Sequence, residues 1–178
     1  MNPIKLIAPA LLTVLAACAA PPGNTYTLYV DPNFDTEAQH EIEEAAQDWK
    51  TAVGPELKIT TVVAPCPGGP MLWKPGMVCV HSSPTATVPC MGAVDPLILG
   101  CTLPEGDDAA TVTIATNLAK TLERPQIIRH ELGHAMGLSH DHEGTLMYHN
   151  VSGGHYVPTC EDIRQWHGVR GETFSCES

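Results

Sequence analysis

From Tyr26 to Val30 apolar and polar positions alternate, the two-residue period of a half-buried strand. The period then lengthens. Ala38, Ile42, Ala45, Ala46, Trp49 and Val53 recur at helical spacing and mark one apolar face. Asp35 or Thr36 offers a cap at the start of this helix, and Gly54 with Pro55 ends it. Trp49 falls on the apolar face, so it is expected in the core. Leu57 to Val63 is β-branched and reads as a second strand. From Pro65 to Glu105 the chain is rich in Pro, Gly and Cys, with short strand candidates at Val78 to His81 and Leu97 to Thr102. Ala110 to Ala115 is a further strand. Ile127, Ile128, Leu132, Ala135 and Met136 predict a helix over about 125–136. Pro125 suits its first turn, where a missing N–H has no partner to lose. After Gly137 the chain is mostly irregular and closes with one helix. This order predicts an α+β fold, with a β-sheet packed on helices.

The first residues read as a targeting segment. One positive charge, Lys5, precedes an apolar run from Leu6 to Ala17 that is too short to span a bilayer. Leu15-Ala16-Ala17-Cys18 resembles a bacterial lipobox, which implies cleavage before Cys18 and lipid on its sulfur. The alternative is an ordinary signal peptide cut nearby, which would leave the protein extracellular. With Ala19 after Cys18 there is no aspartate retention signal, so the outer membrane is the expected destination in a two-membrane bacterium. The expected division is residues 1–17 as signal peptide, 18–25 as lipidated cysteine and linker, and 26–178 as one domain.

Composition narrows the partners. The whole chain has formal net charge −11, and removal of residues 1–17 takes away one lysine and no acid. That acidity argues against a nucleic-acid partner and against a polybasic membrane patch. The expected membrane contact is therefore the lipid on Cys18. Seven cysteines are an odd number. Setting Cys18 aside leaves Cys66, Cys79, Cys90, Cys101, Cys160 and Cys176, which suggests three disulfides in an exported chain. Fifteen connectivities are open to six cysteines. Pairing of neighbours is expected: Cys66–Cys79, Cys90–Cys101 and Cys160–Cys176. Each would stabilise the fold by roughly 2–4 kcal/mol. A cysteine zinc site is the rival, but no spacing is C-x-x-C. No repeat or oligomer signal is visible, and a monomer is expected.

The chemistry concentrates between His130 and His140, where the chain fits H-E-x-x-H-x-x-G-x-x-H at every fixed position. His130 and His134 lie one turn apart on one helix face and can reach one ion. Glu131 projects about 100° around the helix from His130, beside the metal. A third ligand cannot come from the same straight helix, so the chain must turn. Gly137 permits the left-handed conformation that ends a helix, and His140 follows. Three imidazoles with an open position are the catalytic zinc arrangement, whereas structural sites are usually closed by four ligands.

This motif resembles that of the metzincin zinc endopeptidases. Their methionine turn is matched by Gly144 to Tyr148, with Met147 as the methionine. The short run from His140 to Met147 and the Leu-Met-Tyr wording look most like the matrixin branch. Pro158 to Trp166 is similar to the matrixin C-terminal helix, and Thr159 with Asp162 reads as a capping box. The resemblance departs in places. Asp141 after the third histidine is more typical of adamalysins, and His149 stands where matrixins usually have proline. Asp107 and Asp108 are too little to match the matrixin stretch that holds structural zinc and calcium, so those ions are not carried over. Residues 19–25 are too short for an inhibitory pro-domain, so synthesis without an attached inhibitor is expected.

The resemblance implies one catalytic Zn2+ on His130, His134 and His140, with zinc-activated water attacking a peptide bond. Glu131 would act as general base and Met147 as an apolar floor beneath the ligands. Gln126, Tyr148 and His149 are the candidate substrate-pocket residues. His149 reads most simply as a loop histidine in the pocket wall; contact with substrate or zinc is the alternative. His40, His81, His142, His155 and His167 read as surface or loop residues. A peptide or protein substrate would pair with an exposed sheet edge, either Leu97–Thr102 or Thr111–Ala115. Two rival functions remain. One is a non-catalytic zinc-containing surface lipoprotein that binds peptide or protein partners; the other is a metal-scavenging lipoprotein.

Overall fold

The structure, a computed structural model, describes residues 23–68, 73–85, 88, 90, 99–106, 108–115, 123–150 and 154–176. The expected signal segment, Cys18, Asp107 and the start of the Leu97–Thr102 strand candidate lie outside the described residues. The fold is α+β. Five strands and three helices follow in the order β1 (Thr25–Val30), α1 (Thr36–Val53), β2 (Lys58–Val63), β3 (Met77–Ser83), β4 (Gly100–Pro104), β5 (Ala110–Ala115), α2 (Arg124–Ala135) and α3 (Cys160–Gly168). They form one mixed sheet in the order β2-β1-β3-β5-β4. β1 runs parallel to β2 and β3, and β3 parallel to β5. β4 alone is antiparallel, paired with β5.

The helix ends follow their capping chemistry. The Asp35 carboxylate accepts the Ala38 N–H at 2.7 Å, satisfying a donor that the first turn leaves free. Gly54 closes α1 at φ +105°, a left-handed conformation that a side chain would strain. Ala38, Ile42, Ala45, Ala46, Trp49 and Val53 all face the core, as their spacing predicts. Trp49 is buried and donates its indole N–H to the Arg129 carbonyl of α2 at 2.9 Å. Arg124–Glu41 (2.5 Å) and Arg129–Asp48 (2.6 Å) pair the same two helices. A shared core of Leu28, Val30, Val80, Val112, Ile114, Ile128, Leu132 and Trp166 fixes α2 against the sheet.

All three expected cysteine pairs are at bonding distance: Cys66–Cys79, Cys90–Cys101 and Cys160–Cys176. Two expectations need correction. Thr111–Ala115 is not a sheet edge, because β5 is paired on both sides; β4 covers it and is itself the edge. His167 is not a surface residue. It is 9 % exposed, stacks on Phe174 at 4.8 Å, and its Nδ1 lies 2.7 Å from Glu172. The segment after α3 folds back over it, a contact with residues five and seven positions on that α3's own pattern does not reveal.

Candidate metal centre

α2 carries the first two candidate ligands, and its end delivers the third. The Met136 and Gly137 amides donate back to carbonyls of the last turn, Gly137 takes φ +91°, and the Leu138 amide returns to the Gly133 carbonyl at 3.1 Å. This reversal brings His140 beside its partners. Ring centroids are 4.6 Å apart for His130–His134, 4.7 Å for His134–His140 and 5.3 Å for His130–His140. One ligand atom from each lies within 4.8 Å of the others.

The tautomers of two ligands are set by backbone. His130 Nδ1 meets the Leu146 carbonyl at 2.9 Å, and His134 Nδ1 meets the Leu138 carbonyl at 2.8 Å. A carbonyl only accepts, so each Nδ1 carries the proton and each Nε2 is left with a free lone pair. Burial pushes His130 down to about 4, helped by the neighbouring His134. His134 and His140 are also lowered, chiefly by desolvation. Neutral, oriented imidazoles of this kind fit a borderline cation such as zinc.

Glu131 does not belong to the ligand group. It is 6 % exposed, wedged between α2 and edge strand β4. Burial pushes its carboxyl up to about 7, and a hydrogen bond from Thr102 opposes that rise. Thr102 Oγ1 lies 2.6 Å from Glu131 Oε2 and 3.0 Å from the Glu131 main-chain oxygen. Gly100, two residues earlier on the same strand, presses against the Glu131 side chain; a Cβ there would sit 2.7 Å from Cγ and from Oε1.

Met147 is fully buried, with its sulfur against Gly133 of the helix that carries the first two candidate ligands. A Cβ on Gly133 would overlap its sulfur and crowd Trp49, so the helix needs glycine there to let the methionine in. Asp162, also fully buried, holds the turn from α3. It accepts the Leu146 and Met147 amides, each at 3.0 Å, and the Thr159 amide at 2.7 Å. The capping box of Thr159 and Asp162 is formed. The Asp141 amide donates to the Met147 carbonyl at 2.9 Å, tying the residue after His140 to the same turn.

The pocket candidates separate. Gln126 is buried and donates to the His155 carbonyl at 3.2 Å, with Gly154 against its amide. Tyr148 is half-buried, and the ring of exposed His149 lies tilted beside it at 4.4 Å and 6.2 Å from that of His140. His40, His142 and His155 are exposed as expected, and His81 is half-exposed on β3. Thr102, Gly100 and the clamp made by Asp162 are the site features that sequence did not supply. Only a G-x-T on a strand candidate pointed toward the first two. The chain matches no protein-family model and no curated protein.

Proposed function

We propose that this chain is a zinc-dependent endopeptidase of the metzincin kind, nearest the matrixin branch, exported and lipid-anchored through Cys18. The observation that carries the reading is the division of labour at the centre. Three imidazoles converge, two of them with Nε2 left free by their backbone partners, while Glu131 beside them is held by Thr102 of β4 and is not one of the clustered ligands. A site that only held an ion would not need that buried carboxylate. The three cysteine pairs are in keeping with an oxidising compartment.

His130, His134 and His140 would hold zinc, which when bound would supply Lewis acidity and lower the pKa of water toward ~7. The remaining steps fall to the chain. Glu131, raised to about 7, is poised to take a proton from the attacking water at a carboxylate oxygen and return it to the leaving nitrogen. The outer edge of β4 offers main-chain groups to an extended substrate beside Glu131. Tyr148 and His149 lie on the His140 side of the centre, and buried Gln126 would act from beneath through its contact with the 154–155 segment. The buried fold around Met147 excludes water from behind the imidazoles.

The test is cleavage of a diverse peptide library by residues 19–178, beside Glu131→Ala and a chelated sample. The expected result is cleavage lost in both controls and restored to the chelated sample by zinc. A folded wild-type protein that binds one zinc and cleaves nothing would overturn the peptidase reading.

A further inference from the structure

We propose that Thr102 is a positioning residue that fixes the Glu131 carboxylate, an inference that rests on the peptidase reading above. β4 is built around this contact. Side chains alternate across a strand, so Gly100 and Thr102 share one face and Cys101 takes the other. The shared face meets α2 at Glu131. The opposite face is fastened, since Cys101 is buried with Val88 and Ala115 and bonded to Cys90. The register Thr102↔Val112 locks the strand onto β5. Thr102 is therefore held on a rigid element from two directions.

Its hydroxyl has one proton to give. Among the described residues it is the hydrogen-bond donor to the Glu131 carboxylate, and it takes Oε2 at 2.6 Å. Gly100 closes the other side, with Ile127 also within reach of any Cβ placed there. The carboxylate is thus gripped at Oε2, while Gly100 lies close against its stem and Oε1, so that its position is fixed from both sides. Valine at residue 102 would keep the shape but leave Oε2 buried without a donor. The acid would then seek another rotamer. Small displacements of a reacting group of about 1 Å cost on the order of 100-fold in rate.

The experiment compares Thr102→Val with Thr102→Ser in the zinc-loaded protein. Val should lower kcat about 10- to 100-fold, with KM and zinc stoichiometry held within about twofold. Ser, which restores the hydroxyl, should recover kcat to within about threefold of wild type. A second readout needs no turnover. Thermal unfolding of Thr102→Val, Glu131→Ala and the double variant forms a cycle, and the two changes should be non-additive. Unchanged kcat in Thr102→Val, an equal loss in Thr102→Ser, or strict additivity in the cycle would each overturn the inference. If wild type binds zinc and cleaves nothing, the peptidase reading fails. The cycle then decides the Thr102–Glu131 contact by itself.

Discussion

Asp162 and His130 sit at the two ends of one peptide plane. The Met147 N–H donates to Asp162 Oδ1 at 3.0 Å, and the carbonyl of that same peptide, on Leu146, accepts from His130 Nδ1 at 2.9 Å. A carboxylate on the amide side polarises the carbonyl toward the imidazole, and a hydrogen bond of that kind makes His130 a better donor to a metal. Asp162→Asn keeps the volume and removes the charge. It should weaken zinc binding by about 10- to 100-fold, measured by competition with a chelator of known affinity. Wild-type affinity in a folded Asp162→Asn protein would dismiss the relay.

Glu131 touches no ligand position, so its loss should separate binding from chemistry. Glu131→Ala is expected to retain one zinc per chain while peptide cleavage falls at least ~100-fold. Metal analysis and the cleavage assay, run on one preparation, check both halves. An active Glu131→Ala protein would remove Glu131 from the mechanism.

Gly133 tests the floor of the centre. Its missing Cβ admits the Met147 sulfur and the Trp49 ring. Gly133→Ala should overpack this spot and cost roughly 1–3 kcal/mol in unfolding free energy, read by denaturant titration. If stability is unchanged, the close packing is slacker than described. A companion change to a smaller side chain, Met147→Ala, should restore part of the loss in Gly133→Ala.

The histidines give the chelated protein a pH dependence of definite sign. His130 is lowered from 6.5 to about 4 by burial. Between those values the unfolded chain binds more protons than the folded one. Stability is therefore full above 6.5 and is lost as pH falls toward 4. His134 and His140 are lowered too and act in the same direction. Glu131 acts oppositely, since it is raised from 4.5 to about 7 and its contribution fades as pH rises through 7. Thermal midpoints of the chelated chain should thus decline on the acid side, and His130→Gln should flatten that limb. A limb equally steep in His130→Gln would show that other groups set it.

How much of this was legible in sequence depends on the range of each contact. α1 and α2 were readable because their apolar spacing, Asp35, Pro125 and Gly137 act locally. The ligand triad followed from helical geometry and one glycine. Cysteine pairs between chain neighbours also needed no tertiary knowledge. Thr102 was different: it meets Glu131 across 29 residues, because β4 is an antiparallel edge on an otherwise parallel sheet. Strand order decides which residue stands there, and alternation within one strand does not encode order. The placement of β5 inside the sheet was hidden for the same reason. Thr159 and Asp162 were visible as a cap, but the two amides that Asp162 also holds belong to a turn 15 and 16 residues away.

The capping box of α3 also has a consequence in time. The peptide that orients His130 is held by Asp162, whose helix is anchored by Cys160–Cys176. His130 is thus made before the residue that holds it in its final pose, Asp162, which follows about thirty residues later. Until α3 is made, the histidines lack the carboxylate that frames them. The order of synthesis thus makes α3 the element that completes the support of the triad.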